Sequence, residues 1–396
     1  MASAGDVMNA ISTAELERRW AAVRAAMDDR DIDILVMQNS NSFHGGYVKW
    51  FTDIPAMNGG YQAVLFPKND RMIAVRHGPP GVSEVKEDDP INRGVARIHS
   101  QPTFAAVDFT KDYAAGAVLE ELRPRADKTI GLVGTTSMAY PFLEGIKNGS
   151  LGNSKFVDAT DMVDQIKAIK SEEEIEFIKR AAAMQDASMA EVFKQIKPGM
   201  KNLELTALAQ YSGQLQGSEQ GLFLAGSAPP GTPGPKMGKH MQAREIQEGD
   251  QFTLLIENNG PGGFYTELGR TCVLGKASQE LKDEFEFTLE AQKFTLEMIK
   301  PGAEPKEILL TYNDFMRKNG RPEELRLYAH GQGYDLVERP IIRAEEKMAL
   351  APNMSIVVHP TYATDTAYSW VCDNYLVTGT GVSACIHETP QKIFEL

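Results

Sequence analysis

A repeated helix stop is the feature that most constrains how this chain of 396 residues can fold. The segment Ile196-Lys-Pro-Gly199 is followed by Glu204, and Ile299-Lys-Pro-Gly302 is followed by Glu307 at the same offset. Pro and Gly are common where helices end, so the turn alone could recur by chance. The helical patterns that flank both copies match as well, which favours duplication of a larger unit.

Strand-like segments follow each copy of the turn. Phe252–Glu257 and Thr271–Leu274 come after the first copy, and Met354–Val358 and Asn374–Thr378 come after the second. Two related α+β halves would form a sheet covered by helices, with a cleft between the halves. We therefore predict that residues 161–396 are one duplicated domain in which the two Lys-Pro-Gly turns are equivalent.

Residues 1–160 have the pattern of a smaller α/β domain. An amphipathic helical stripe runs through 14–30, and short apolar runs that read as buried strands follow at 32–37, 62–66, 71–75 and 129–133. A long helical pattern then begins, and Ser171 with Glu174 supplies the N-cap for a fresh helix start. The boundary between the two domains is expected just ahead of that helix.

The composition excludes several classes of protein. The 54 acidic residues outnumber the 41 basic ones, and the net charge of −13 argues against nucleic acid or an anionic membrane as a partner. Three cysteines without paired spacing argue against a disulfide framework. The first residues lack the pattern of a secretory leader, and no run approaches the ~20 apolar residues of a membrane span. We expect a soluble cytoplasmic protein.

Five motifs together resemble the creatinase, prolidase and aminopeptidase P family. They occur in the family's order: Lys170-Ser171-Glu-x-Glu-Ile175, the two Lys-Pro-Gly turns, Gly263-Phe-Tyr-Thr-Glu-Leu-Gly-Arg-Thr271, His330-Gly-Gln-Gly333 and Leu376-Val-Thr378. His-Gly-x-Gly alone is a weak signal, whereas five motifs in register are specific. The resemblance implies a C-terminal pita-bread fold, a creatinase-type N-terminal α/β domain and a homodimer. In the dimer, Phe43, His44, Tyr47 and Trp50 are candidates to border the partner's cleft.

The resemblance also implies where a metal centre would lie. The family's peptidases hold two metal ions with two aspartates, one histidine and two glutamates. Glu267 stands at the second aspartate position, His330 at the histidine and His359 at the first glutamate position. Cys372 stands at the last glutamate position, with Asp373 beside it.

Two further positions depart from the family pattern. The first aspartate position falls on Ile256, and the neighbouring Glu257 fits it if the connecting loop is one residue shorter. A second family histidine is Val337 here, although Glu338 and Pro340 keep the rest of that motif. The usual two-metal set is therefore altered in residue type at several positions.

One interpretation keeps a single metal ion. Glu267, His330 and His359 would be its ligands, with Cys372 as a fourth. Imidazole, carboxylate and thiolate suit zinc or iron(II), whereas too few oxygens remain for magnesium or calcium. Water with a lowered pKa would then be the nucleophile.

The other interpretation needs no metal, as in creatinase and ectoine hydrolase, which this chain also resembles. His240 lies close to the position of the creatinase catalytic histidine, and a histidine can take and return a proton near neutral pH. Glu257 and Glu267 would orient it, stabilise a cationic nitrogen or attack the substrate directly. His330 and His359 remain catalytic candidates in this interpretation.

Three further residues are candidates for substrate binding. Arg270 has the planar fork that clamps a carboxylate, although the same fork suits a purely structural role. Glu338 and Asp373 lie beside the proposed ligands and could hold polar groups of a substrate.

The leading hypothesis is a hydrolase that cleaves a C–N bond of an amidine, amide or cyclic amidine in a small molecule. A lyase acting on a small carboxylate, an Xaa-Pro peptidase, and a binding protein that has lost catalysis are the alternatives. Because several metal ligands differ from those of the two-metal peptidases, we expect little or no activity on Xaa-Pro dipeptides.

Overall fold

The fold is described from a computed structural model that covers residues 7–40, 46–57, 59–85, 88–149 and 151–396. The chain packs into two compact units, Met1–Lys167 and Ala168–Leu396. The division into functional domains 1–160 and 161–396 stays a prediction. None of the helices in the described ranges has both the length and the apolar character needed to cross a membrane.

The first unit is built on a mixed seven-stranded sheet. Its strands are β1 (Ile34–Ser40), β2 (Tyr61–Pro67), β3 (Met72–His77), β4 (Gly81–Glu84), β5 (Val95–Gln101), β6 (Thr129–Val133) and β7 (Lys155–Asp158). Their spatial order is β4-β5-β3-β2-β1-β6-β7. The predicted strands at 62–66, 71–75 and 129–133 all belong to this sheet. The predicted strand at 32–37 begins two residues later, because Ile32 N–H still caps the preceding helix by donating to Met27 O at 3.0 Å.

Five helices accompany this sheet. They are α1 (Thr13–Asp28), α2 (Tyr47–Thr52), α3 (Tyr113–Leu122), α4 (Tyr140–Asn148) and α5 (Thr160–Lys167). Side chains of α3 and α4, such as Val118 and Phe142, pack with Leu65 and Leu132 of the sheet into one apolar core. Tyr47 and Trp50 are buried, whereas Phe43 and His44, the other candidates for a dimer contact, lie outside the described residues.

The second unit contains four long helices and two four-stranded sheets. Its helices are α6 (Glu172–Gln195), α7 (Asn202–Leu215), α8 (Gln279–Met298) and α9 (Pro305–Lys318). Its strands are β8 (Gly221–Ala228), β9 (Gln251–Asn259), β10 (Tyr265–Val273), β11 (Ala329–Gly331), β12 (Glu338–Ile341), β13 (Ser355–Val358), β14 (Thr361–Ala363), β15 (Tyr368–Trp370), β16 (Asp373–Leu376) and β17 (Phe394–Glu395). As predicted, Ser171 caps α6 in a reciprocal capping box with Glu174.

The two halves of this unit repeat the same plan. Each half begins with two helices that are joined by a Lys-Pro-Gly turn, and a four-stranded sheet follows. The first half has α6, α7 and the sheet β17-β10-β9-β8. The second half has α8, α9 and the sheet β12-β11-β13-β16. Gly199 N–H donates to Ile246 O, and Gly302 N–H donates to Leu350 O, each at 2.8 Å. In both halves the residue whose backbone oxygen accepts this bond also donates its own N–H to the backbone oxygen of the residue after the glycine. The shared hydrogen bonds support the duplication.

A backbone hydrogen bond lies at the junction of the two sheets of this unit. Gly269 of β10 donates its N–H to Cys372 O at 3.1 Å, next to the start of β16. The inner strands of both halves are thereby brought side by side. Residues from β9, β10, β11 and the end of β13 can meet at this junction.

Candidate functional site

Two glutamates face each other on the two central strands of the sheet β17-β10-β9-β8. Glu257 on β9 pairs directly with Glu267 on β10 in the antiparallel ladder. Directly opposed residues on antiparallel strands project from the same face with short Cβ separations. Both side chains are buried. Two carboxyl groups therefore share one low-dielectric space.

Two histidines approach this pair from the second sheet. His330 lies on β11, where it pairs with Val357 of β13, and His359 follows the end of β13. His359 N–H donates to Tyr328 O at 2.8 Å, which fixes the chain where it leaves the strand. The two imidazole rings lie 5.2 Å apart between centroids, with their planes 72° apart.

Glu267, His330 and His359 converge on one point. One potential ligand atom from each lies within 4.8 Å of the other two. His330 Nε2 is 3.7 Å from Glu267 Oε2. The exposed fractions of these residues are between 3% and 9%. The structure thus brings together three residues that lie far apart in the sequence.

Both imidazoles are neutral at neutral pH. Burial lowers the pKa of His330 to about 4, although its hydrogen bond to Gly331 opposes the shift. Burial, and next the charge of His330, lower the pKa of His359 well below its ordinary value. His330 Nδ1 lies 2.9 Å from Gly331 O, which can only accept, so Nδ1 carries the proton and the Nε2 lone pair is left free.

The carboxyl pair holds a proton. Burial raises the pKa of Glu257 well above its ordinary value, and the charge of Glu267 and a hydrogen bond with it add to the shift. Burial also raises the pKa of Glu267 to about 7, although hydrogen bonds with Cys372 and Glu257 oppose this. Two adjacent buried carboxyl groups share a proton because both cannot be charged without compensation.

The three converging residues fit one metal ion. His359 Nε2 is buried without a hydrogen-bond partner, an arrangement that is unfavourable unless another group uses the lone pair. His330 offers a free Nε2, and Glu267 supplies an oxygen on the same side. Two neutral imidazoles and a carboxylate form the donor set of catalytic zinc and of non-haem iron(II) sites.

Gln332 is the site residue that sequence reasoning missed. Its Nε2 donates to Glu257 Oε1 at 3.0 Å and lies 3.5 Å from Glu267 Oε2. Asn374 Nδ2 donates to Gln332 Oε1 at 2.8 Å, and Asn374 Oδ1 accepts from the N–H of Glu267 at 2.7 Å. The only sequence signal was the place of Gln332 inside the His-Gly-Gln-Gly motif.

Cys372 is not one of the three converging residues, and its role as a fourth ligand stays a prediction. Its thiol donates to the backbone oxygen of Glu267 at 3.5 Å. Burial and the neighbouring Glu267 and Asp373 raise the pKa of the thiol well above its ordinary value. A neutral thiol that donates to a carbonyl is a poor ligand, because the thiolate is the form that binds metals.

Arg270, Asp373 and Glu338 lie in buried ion pairs, and their roles in substrate binding stay predictions. Arg270 Nη2 bonds Asp373 Oδ1 at 2.6 Å, and neither side chain has exposed surface. Glu338 accepts from Lys170 Nζ at 2.7 Å in a second buried ion pair. These charged groups are held by protein partners, so they brace the second unit.

His240 lies apart from the converging residues. It sits on the short 3-10 turn Lys239–Met241 with its side chain exposed. It is not one of the three residues whose potential ligand atoms come together, and its catalytic role stays a prediction.

Comparison with known proteins identifies the family. The profile of "Metallopeptidase family M24" matches residues 176–388, which is more than half of the chain and includes the glutamate pair and both histidines. The chain belongs to metallopeptidase family M24. The resemblance predicted from the five motifs is thereby confirmed.

Individual M24 relatives agree with this assignment. An Xaa-Pro dipeptidase of Pyrococcus furiosus is 26% identical over 260 residues, covering 64% of this chain and 72% of the relative. An uncharacterized hydrolase/peptidase of Sinorhizobium fredii is 26% identical over 387 residues, covering 93% and 95%. The X-Pro aminopeptidase of Thermotoga maritima has a similar structure, with a TM-score of 0.76 at 20% identity over 95% of this chain and 99% of that one.

Two expectations are confirmed by M24 membership and by these structural neighbours. The fold is the pita-bread α+β fold with a smaller α/β unit in front, since the structural likeness extends over almost the full chain. The chain is a hydrolase that acts on C–N bonds, as the peptidase family is. The metallopeptidase family also makes a metal ion the expected cofactor.

Proposed function

We propose that this chain hydrolyses an amide or amidine C–N bond in a small molecule, at a centre with one metal ion. The observation that carries the proposal is the convergence of Glu267, His330 and His359 within 4.8 Å. Two imidazole nitrogens and one carboxylate oxygen favour zinc or iron(II). A bound ion of this kind supplies Lewis acidity, which polarises the C–N carbon and makes water a stronger acid.

Glu257 is the residue proposed to move a proton. It lies opposite Glu267 but outside the three converging residues, and Gln332 orients its carboxyl group through the 3.0 Å hydrogen bond. A carboxyl group fixed beside the reacting bond can deliver a proton to the departing nitrogen and take one from water. The buried walls of the site keep bulk water away from both steps.

The substrate is proposed to be a small amide, amidine or cyclic amidine, and not an Xaa-Pro dipeptide. Among the described residues, the three converging side chains are the single group of three or more that can share one ion. The pair of closely spaced ions used by two-metal aminopeptidases would require more carboxylates in contact with that group than Glu257 alone. Cys372 and His359 occupy family glutamate positions and supply none.

The assembly and the compartment belong to the same proposal. A homodimer is supported by the resemblance of the sequence motifs to the creatinase and prolidase family. A reducing cytoplasm is supported by the state of the three cysteines, which are all free thiols.

Activity assays with matched histidine variants test this function. We expect the full chain, loaded with zinc or iron(II), to hydrolyse members of a panel of linear amides, amidines and cyclic amidines. His359→Gln should lower kcat/KM at least ~100-fold, because it removes several kcal/mol of transition-state stabilisation. His240→Gln should stay within ~3-fold of the parent, because its side chain lies outside the centre.

Two results would refute the proposed function. One is loss of activity in His240→Gln together with full activity in His359→Gln, which would restore the metal-free interpretation. The other is metal-stimulated cleavage of Xaa-Pro dipeptides that is faster than cleavage of every amide and amidine in the panel.

A further inference from the structure

The side-chain amide of Gln332 is locked in one orientation. Its Nε2 lies 3.1 Å from Leu336 O, which can only accept a hydrogen bond. Its Oε1 accepts from Asn374 Nδ2 at 2.8 Å, and Asn374 is itself fixed by the donor Glu267 N–H. The partners therefore determine which end of the amide is nitrogen, and Gln332 has no exposed surface.

The locked amide points a donor at the glutamate pair. One N–H goes to Leu336 O, so the other is left for Glu257 Oε1 at 3.0 Å, with Glu267 Oε2 at 3.5 Å. Buried carboxyl groups need a cation, a proton or hydrogen-bond donors to compensate them. Here the neutral donor Gln332 contacts Glu257 Oε1 at 3.0 Å, whereas it is 3.5 Å from Glu267 Oε2, the oxygen that lies 3.7 Å from His330 Nε2.

The contact also affects where a cation can bind. A second ion held by Glu257 Oε1 would lie beside the Gln332 N–H2 group, whose nitrogen is 3.0 Å from that oxygen. An amide N–H2 group has no lone pair to offer a cation and would be repelled by it. Displacing this donor would also break the hydrogen bonds of Asn374 and Leu336, because the three partners fix one another.

We propose that Gln332 replaces a second metal ion, so that the site binds one ion at Glu267, His330 and His359 and keeps Glu257 free of metal. The inference rests on the proposed metal centre and adds how this chain limits it to one ion. Gln332 is a positioning residue in this account. It fixes the Glu257 carboxyl group by a hydrogen bond where a cation would otherwise hold it.

The number of bound ions tests this inference directly. The full chain is stripped with a chelator and titrated with Mn²⁺ by calorimetry, and the loaded protein is examined by electron paramagnetic resonance. The parent should bind one equivalent and give the spectrum of an isolated ion. Gln332→Glu replaces the donor by a third carboxyl group, so it should bind two equivalents and give the spectrum of a spin-coupled pair, as expected for ions ~3.5–4 Å apart.

Two further variants keep the test decisive. Gln251→Glu is the matched control, since Gln251 is also buried but bonds Tyr368 O and Thr253 instead of the glutamate pair. It should still bind one equivalent. Glu257→Gln should likewise bind one equivalent of Mn²⁺ with an unchanged dissociation constant. This variant tests the inference even if Gln332→Glu does not fold.

The outcomes separate this inference from the proposed function. No bound ion in the parent would overturn the metal centre itself and the inference with it. Two equivalents in the parent, one equivalent in folded Gln332→Glu, or loss of the ion in Glu257→Gln would overturn the role of Gln332 and leave the metal centre standing.

Discussion

At the scale of single residues, Arg270 holds together several segments of the second unit. Its guanidinium pairs with Asp373 and also donates to the backbone oxygens of Cys372, Thr389 and Pro390. The pair is fully buried, so its charges depend on each other and on these bonds. Removing one partner from such a pair leaves an uncompensated buried charge. The strands next to the metal centre therefore depend on Arg270 for stability.

Arg270→Met should lower the free energy of unfolding by about 3–5 kcal/mol, because the buried Asp373 loses the guanidinium that compensates it. Denaturant titration of the full chain measures the change. Arg244→Met is a suitable control, since Arg244 pairs with Asp250 but is one-third exposed (33%), and it should lose less. Unchanged stability of Arg270→Met together with a raised KM would instead restore Arg270 as a substrate clamp.

The sequence allowed only part of the site to be predicted at this scale. The convergence of Glu267, His330 and His359 could be predicted because Glu267 and His330 lie in two of the motifs and His359 precedes a proline at the end of a strand. Gln332 was missed because its partner Glu257 lies 75 positions away and only the strand register brings them together. The sequence left the role of Arg270 open, because a guanidinium has the same donors whether it meets a substrate or a buried aspartate.

At the scale of structural elements, a Lys-Pro-Gly turn connects the two helices in each half of the second unit. Gly199 and Gly302 have φ angles of 89° and 80°, a region that residues with a Cβ avoid. A Cβ built at either position would meet no atom within 4 Å. A substitution there would therefore act through backbone strain alone.

Gly199→Ala and Gly302→Ala should each lower the free energy of unfolding by ~1–2 kcal/mol, and by similar amounts if the turns are equivalent. Gly116→Ala is the control, because Gly116 lies within the helix α3 with open space around it and should be neutral or stabilising. Thermal or denaturant unfolding of the three variants supplies the comparison. A loss at one turn and none at the other would argue against duplication.

The duplicated plan was predictable at this scale, but the extent of the strands was not. The sequence indicated a strand only from Thr271, whereas β10 begins at Tyr265. The intervening residues include Glu267 and Gly269, whose residue types are uncommon in strands. They adopt the strand because β9 pairs with them along its whole length. Such pairing is tertiary information that a local pattern does not contain.

The molecule as a whole combines a common fold with an altered centre. Structural likeness to the Thermotoga maritima X-Pro aminopeptidase covers 95% of the chain, so the fold has been retained almost throughout. By the resemblance, His359 and Cys372 stand at the two positions where the family's peptidases have glutamates. A fold of this kind can host different chemistry when its site residues change.

The central claim is that one metal ion binds at Glu267, His330 and His359, and anomalous diffraction tests it most directly. Crystals of the full chain loaded with zinc would be measured on both sides of the zinc absorption edge. The account predicts one strong anomalous peak, about 2.0–2.2 Å from a nitrogen of each histidine and from an oxygen of Glu267. A centre without a peak, or two peaks bridged by Glu257 and Glu267, would contradict it.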